Sequence, residues 1–439
     1  MYKRPVAIDL FAGAGGMSLG FEQAGFDVKA AVEIDPVHCG VHAFNFPDCE
    51  VIPKSVASLT GKEIEESIGG KKVDLVIGGA PCQGFSMIGK RVLDDPRNSL
   101  VKDFVRIVRE LDASYFVFEN VKGLTVGRHR KFLDELFEEF EKVGYQVRAP
   151  WRVLNAADFG VPQNRERLIL MGAKNGLKLP VYPLPTHVRP GVGSTILGDF
   201  GPNCRDALDD LPDAEKFAGL EINDSVMTTR WGMPSDYAAE LRCLELKHWH
   251  FGYRRAWDPE LLTSSIRTNH STISRRRFME TAPGSVEPIS RFYRLPPDGL
   301  SNTLRAGTDG ARGAFTSPRP IHYRHPRCIT VREMARLHGF PDWFRLHVTK
   351  WHGARQVGNA VPPALARIIG AAVIEAMALK PTRPSSETSL GDEALLRMDL
   401  SQASKYWEVE RPVSRRNQRS GARKRKQVDI EAERIAAGV

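Results

Sequence analysis

The alternation of strand and helix patterns constrains this chain more than any other feature of its sequence. Over the first 175 residues, short apolar runs at 6–10, 27–32, 73–77 and 115–118 alternate with helical patterns at 17–24, from about 37, at 100–111 and at 131–143. That order predicts an α/β fold, a doubly wound and mostly parallel sheet with helices on both faces. Ligands bind such sheets beyond the carboxyl ends of the strands, so the residues just after each strand are the ones to read for chemistry.

At residue 176 the texture changes. Pro, Gly and Asp become frequent and periodicity fades until residue 330, where α/β texture resumes and 362–379 reads as a long amphipathic helix. For 439 residues, two or three domains are expected. We expect a main domain in two pieces, 1–176 and 329–380, interrupted by a loop-rich insert, 177–328, and followed by a basic, flexible tail, 381–439. The 62 Lys and Arg exceed the 53 Asp and Glu, a net charge of +9 that suits a polyanionic partner. The excess is local: residues 227–327 hold 16 basic and 9 acidic residues. Aromatics are interleaved there, as in His248-Trp249-His250-Phe251-Gly252-Tyr253-Arg254-Arg255-Ala256-Trp257. No apolar run approaches the ~20 residues of a membrane helix; the longest, 368–379, contains Glu375. Asp9 interrupts the apolar stretch behind Lys3-Arg4, against an export signal. Six scattered cysteines fit a reducing compartment, and a cytoplasmic protein is expected.

The strand ends carry the candidate chemistry. The first turn reads Asp9-Leu10-Phe11-Ala12-Gly13-Ala14-Gly15-Gly16. Glycines there let a ligand approach the backbone. Ser18 stands where a dinucleotide fingerprint would want another glycine, and no phosphate-loop Lys follows, so a nucleoside fits better than a pyrophosphate. The second strand ends at Val32-Glu33-Ile34-Asp35, and an acid in that place can accept both hydroxyls of a ribose. The third candidate is Gly78-Gly79-Ala80-Pro81-Cys82-Gln83, a Cys on a Gly/Pro loop where a lowered pKa would make it a nucleophile. Glu119, in Phe118-Glu119-Asn120-Val121, is a candidate acid. In Gln163-Asn164-Arg165-Glu166-Arg167 the two arginines alternate along a strand and can offer planar donors on one face. His38 and His42 lack the Glu of a metalloprotease helix and no CxxC pair exists, so no metal is expected. These two histidines read as surface residues of a helix, and His248 and His250 as surface or nucleic-acid-facing.

Cys, Glu and Arg on a nucleoside-binding sheet have a specific use. Thiolate addition at C6 of cytosine, with an acid at N3, turns C5 into a nucleophile for an electrophilic methyl group. In the order Asp9-Leu10-Phe11-Ala12-Gly13, Pro81-Cys82-Gln83, Glu119-Asn120-Val121, Gln163-x-Arg165-x-Arg167, the chain resembles the cytosine-C5 DNA methyltransferase family. Two later segments extend the resemblance: 332–342, Arg-Glu-Met-Ala-Arg-Leu-His-Gly-Phe-Pro-Asp, and 356–363, Gln-Val-Gly-Asn-Ala-Val-Pro-Pro.

The resemblance implies a Rossmann-like methyltransferase fold, S-adenosylmethionine as cofactor, and double-stranded DNA as substrate, its target cytosine flipped from the stack. It implies Cys82 as nucleophile, Glu119 as the N3 partner, Arg165 as a contact to the base and Arg167 as its support. For the cofactor it implies Phe11, Ala12, Gly13, Gly15 and Gly16 at the first turn, Glu33 on the ribose, Ile34 on the adenine, and Pro81 as a further cofactor-binding residue. Leu100, Asn359, Ala360 and Val361 would close the methionine side. Ser55, followed by Val56, stands where many members carry an acid for the adenine amino group. The insert would be the target recognition domain, with Thr303-Leu304 as the family's Thr-Leu pair. A bacterial restriction-modification enzyme or orphan modifier, monomeric on DNA, is implied, with a cognate endonuclease as a partner it does not physically require. Within the insert, Arg275-Arg276-Arg277 is the leading phosphate contact, and loss of the tail after Lys380 is expected to spare turnover and site choice. The alternatives are a tRNA cytosine-C5 methyltransferase of the same fold, a silent DNA-binding paralogue and a nucleoside-binding oxidoreductase. The large basic insert, the retained Cys and Glu, and the Cys-Glu-Arg set respectively speak against them.

Overall fold

β1 (Val6–Leu10) is buried along its whole length, as a strand covered on both faces must be. It opens a computed structural model that describes residues 4–81, 98–125, 130–189, 199–308 and 316–412. α1 (Gly16–Ala24), β2 (Asp27–Val32), α2 (Pro36–Asn45), β3 (Glu50–Ile52), α3 (Gly61–Ser67), β4 (Leu75–Gly78), α4 (Ser99–Glu110), β5 (Tyr115–Val121) and α5 (Arg130–Lys142) continue the alternation. Three strands follow with no α-helix between them, only a 3-10 turn at Ala156–Phe159: β6 (Tyr145–Val147), β7 (Arg152–Asn155) and β8 (Glu166–Lys174).

The sheet order is β3-β2-β1-β4-β5-β8-β6, with β7 also on β8. The first five strands are parallel, and β8 runs antiparallel to β5, β6 and β7. The winding reverses between β1 and β4, and that switch point opens a crevice at their carboxyl ends. Side chains alternate across the sheet. Ala7, Ala31, Ile77 and Val117 face one core. Ile8, Val32, Val76, Phe116 and Phe118 face the other, which α3, α4 and α5 close, with Phe116 stacked on Phe140 of α5 at 3.8 Å.

The insert is short-elemented: β9 (His187–Val188), β10 (Asp199–Phe200), α6 (Cys204–Leu208), β11 (Val226–Met227), α7 (Asp236–Leu241), β12 (Arg254–Ala256), β13 (Leu261–Leu262) and α8 (Thr272–Glu280). Small apolar clusters such as Ala214–Leu220–Leu262 cannot stabilise it alone. Buried ion pairs tie it to the returning chain, α9 (Val331–His338), α10 (Lys350–Asn359) and α11 (Pro363–Ala376). Arg336 of α9, fully buried, binds Asp210 of the insert at 3.0 Å and Asp342 at 2.6 Å. Arg327 bridges Glu333 and Asp213. α11 packs on α1 in the first core. By length and composition alone, Lys350–Ala376 would be apolar enough to cross a membrane. It is two helices broken at Ala360–Pro362, and Leu365, Ile369 and Val373 of the second are buried in the core.

Four expectations need correction. Residues 381–412 are not the start of a flexible tail. β14 (Glu387–Ser389) pairs with β12, α12 (Leu400–Tyr406) follows, and Leu396 is fully buried in the first core. The aromatic and basic run 248–257 does not stand free on the surface: protein partners hold several of its side chains. Arg255 is buried against Glu22 of α1 at 2.8 Å and over Trp343, and His250 accompanies Arg367 and Glu240. The three arginines 275–277 already hold carboxylates: Arg275 with Glu215, Arg276 with Glu280 and Arg277 with Glu287. His38 and His42 lie on the inner face of α2, 5% and 0% exposed, because apolar neighbours draw that face into the core. Arg415, Arg416 and the basic run 423–426 lie outside the described residues.

Candidate active site

The turn after β1 is built by unusual backbone. Phe11, Gly13 and Gly15 have φ of 60°, 56° and 99°, conformations that turn the chain sharply before α1. Glu33, just past β2, clamps that turn: its carboxylate accepts from the amide of Gly13 and, through the other oxygen, from the amide of Asp35, each at 2.8 Å. Asp35 in turn caps α2 through the Val37 amide. Ile34 between them stands 63% exposed, an apolar face with no reason to be wet unless a ring covers it. Space beside Gly13 is open, since a Cβ there would meet nothing within 4 Å.

The other wall comes from the far end of the chain. A Cβ on Gly16 would lie 2.6 Å from the Val361 carbonyl and 2.9 Å from Ala360, so only glycine lets the two segments meet. Asn359 is exposed and Ala360 half-buried. Val361 is buried. Leu100, half-buried in the first turn of α4, and exposed Pro81 after β4 complete the set described. Ser55 caps its own turn through the Ala57 amide; the side chain of Val56 is buried and its carbonyl accepts from Arg106 at 2.8 Å.

A buried polar network that the sequence did not single out lies under this turn. Asp9 accepts from Ser18 at 2.6 Å, and Ser18 meets the His42 ring at 3.0 Å. Burial raises the Asp9 carboxyl to about 7 and lowers His42 to about 3.

Beyond β4 and β5 lies the second half of the site. Glu119 sits near the end of β5, and Arg167 on the neighbouring β8 meets its carboxylate at 2.7 Å. Burial pushes the Glu119 carboxyl above its usual range, against the pull of Arg167 and Arg165. Gly79 lies against Glu119, where a Cβ would stand 2.7 Å from Oε2. The Asn120 amide holds the Ala80 carbonyl at 2.8 Å. Thus the loop that leads into residue 82 begins on top of the carboxyl group. Cys82 itself lies outside the described residues.

Arg165 is not an open donor on a strand face. It is 1% exposed, donates to the carbonyls of Leu304, Gly358 and Ala360, and keeps its Nε without an acceptor among the described residues. The Glu166 carboxylate pairs with Lys122, and the Arg167 guanidinium donates to the Glu166 backbone carbonyl at 2.8 Å. Asn155 positions the segment by accepting from the Arg165 amide at 3.2 Å. Gln163 and His338, both fully buried, join the same group of side chains. Nothing in the sequence marks Asn155, whereas Gln163 and His338 stood inside quoted motifs without a role. In front of these residues opens a cleft of about 640 Å³, with Lys122, Asn164 and Arg167 on the sheet side and Arg189, Tyr293 and Thr303 on the insert side. Among the described residues no cluster of three His, Cys, Asp or Glu side chains could hold a metal ion.

The model of the C-5 cytosine-specific DNA methylase family matches residues 6–375. The chain is 56% identical over 418 residues, 95% of each sequence, to the type II methyltransferase M.XorII of Xanthomonas oryzae pv. oryzae. It is 35% identical to M1.HphI of Haemophilus parahaemolyticus, over 84% of this chain and 86% of that one. A solved E. coli prophage protein described as a DNA modification methyltransferase superposes with a TM-score of 0.67 at 32% identity, over 85% of this chain and 99% of its own. The Dnmt2 methyltransferase of S. pombe, at 17% identity and a TM-score of 0.51, shares the fold alone.

Proposed function

Because the chain belongs to the C-5 cytosine-specific DNA methylase family and is a DNA (cytosine-5) methyltransferase, we propose a division of labour for its residues. The observation that carries it is Glu119: a buried carboxyl with a raised pKa, braced by Arg167 and roofed by the loop that leads to Cys82.

The cofactor pocket is the crevice between the first turn and residues 359–361. Glu33 takes the ribose hydroxyls on lone pairs its two amide donors leave free. Ile34 covers the adenine, with the Ser55–Val56 turn at its edge. Phe11, Ala12, Gly13, Gly15, Gly16 and Pro81 line the methionine arm, closed by Leu100 and the 359–361 segment. These groups fit S-adenosylmethionine, which would supply an electrophilic methyl group. Cys82 adds as thiolate to C6 of the flipped cytosine, and Glu119 donates a proton or hydrogen bond to N3 as charge moves onto the ring. Arg167 fixes the base, and Arg165 supports it from behind through the carbonyls it holds. C5 would then take the methyl group that the cofactor supplies, its bond to the donor sulfur breaking to leave a neutral thioether. Loss of the C5 proton to solvent and departure of the Cys82 thiolate restore the aromatic ring.

The insert, 177–328, acts as the recognition domain across the cleft, on double-stranded DNA. The names of its relatives favour a type II restriction-modification role, with the enzyme working in the cytoplasm as a monomer beside a separate endonuclease. Incubation with duplex DNA containing 5-fluorocytosine tests the core of this reading. The parent chain should form a covalent adduct and Cys82→Ser should not. An equal adduct in both would remove Cys82 from its role.

A further inference from the structure

Five residues from four separate segments close a hydrogen-bonded ring behind the active site. The Leu304 amide donates to Gln163 Oε1 at 3.1 Å. Gln163 Nε2 meets His338 Nδ1 at 3.0 Å, and His338 Nε2 meets the Ala360 carbonyl at 3.0 Å. That carbonyl also accepts from Arg165 at 2.8 Å, and Arg165 donates to the Leu304 carbonyl at 3.1 Å, which returns to the start.

The chemistry permits one proton arrangement. A backbone amide can only donate, so the Gln163 atom facing Leu304 is its oxygen and the atom facing His338 is its NH2. Nδ1 of His338 must therefore accept, which puts the ring proton on Nε2, aimed at Ala360. Protonating the ring would set two donors face to face. Burial and the nearby Arg165 and Arg167 keep its pKa well below the ordinary histidine value. The ring joins two strips of backbone that also touch directly: a Cβ on Gly358 would lie 2.3 Å from the Ala306 nitrogen. One strip, 303–306, belongs to the insert and borders the cleft at Thr303; the other, 358–361, walls the proposed cofactor crevice.

We propose that His338 is a positioning residue that couples DNA engagement by the insert to binding of the methyl donor, by transmitting a shift of Leu304 to Ala360. The proposal rests on the pocket assignments above. Neither strip can move alone without breaking a buried bond, so binding on either side shifts the other by the same factor.

Titration of S-adenosylhomocysteine, with and without a saturating duplex bearing the site that the parent methylates, measures that factor. The parent should bind it on the order of 5- to 150-fold more tightly with DNA present. His338→Asn keeps an acceptor near Nδ1 and loses the donor to Ala360, and should lower the thermal midpoint and bring the factor close to one while DNA affinity alone holds. His338→Gln restores an NH2 near the Nε2 position and should recover most of the coupling. Coupling retained in the Asn variant, absent from the parent, or equally lost in the Gln variant would overturn the proposal. If the Asn variant does not fold, the parent decides: its His338 Nε2–H resonance in 15N spectra should shift on adding DNA alone, and an unmoved resonance would overturn the proposal. A parent that binds DNA but transfers no methyl group would instead refute the enzymatic reading.

Discussion

Glu119 shows how opposed forces on one carboxyl leave a usable acid. Arg167 at 2.7 Å and Arg165 favour its anion, burial disfavours it, and burial prevails. Glu119→Gln should lower the single-turnover rate by about 10²–10⁴-fold, the usual range for a general acid, with little change in DNA affinity. A rapid-quench measurement within a few-fold of the parent would make Glu119 structural only. Asp9 offers a stability test with a definite sign. Its folded-state pKa of about 7 lies above the unfolded value near 3.8, so its stabilising contribution is complete below about 4 and is lost as pH rises through 7. Asp9→Asn, which never ionises, should gain on the parent over that window by roughly 4 kcal/mol, at 1.36 kcal/mol per unit. Urea unfolding at pH 5 and pH 8 checks it; a constant difference would mean Asp9 stays ionised.

At the scale of elements, close approach sets the constraint. Gly358 of α10 lies where any Cβ would press on the backbone of residues 305–306. Backbone cannot step aside as a side chain can, so Gly358→Ala should cost roughly 1–3 kcal/mol and weaken cofactor binding. Thermal unfolding and cofactor titration would both register the change. How far elements could be read from sequence follows the same physics. β1, β4 and the first half of β5 declare themselves because strands buried on both faces are nearly continuously apolar. β3 has three residues and β6 and β7 three and four, too few for a period to emerge. The segment 163–167 was expected as one strand, but β8 begins at Glu166 and Arg165 turns inward, drawn by three carbonyls from distant segments. The motif order exposed most candidate residues, because strand ends are adjacent to recognisable strands. The Asp9–Ser18–His42 network and the ring through His338 were illegible because their partners meet only in three dimensions. For the same reason the arginines 275–277 read as free cations: Glu215 and Glu287 are remote or loop-borne acids whose approach no local pattern announces.

For the whole molecule, two predictions separate stability from DNA binding. A chain ending at residue 380 should lose the buried Leu395 and Leu396 and the Arg345–Glu393 pair, and so uncover part of α2. Two leucines at ~1.5–3 kcal/mol each set a loss of roughly 3–6 kcal/mol, against little change for a chain ending at 412. Equal urea midpoints for the two truncations would contradict the packing of 381–412. DNA affinity should fall steeply with salt, and basic residues bordering the cleft should carry part of the effect. Lys122, exposed and held by Glu166 at 2.9 Å, borders the cleft. Lys122→Ala should weaken binding to all sequences alike and flatten the logarithmic salt slope by about 0.9. An unchanged slope would place the phosphate contact elsewhere.

The meeting of Gly16 with Ala360 and Val361 also fixes when this protein can begin to work. One wall of the crevice is synthesised about 340 residues ahead of the other, and Arg4 donates to the Thr382 carbonyl. At ~5–20 residues per second of synthesis, the interval between the two is roughly 20–70 s. A nascent chain therefore carries its sheet, and then its insert, well before it can close around a methyl donor. Premature termination anywhere before residue 360 yields a polypeptide that lacks one side of that crevice, so incomplete products should be catalytically inert however much of the sheet they have formed.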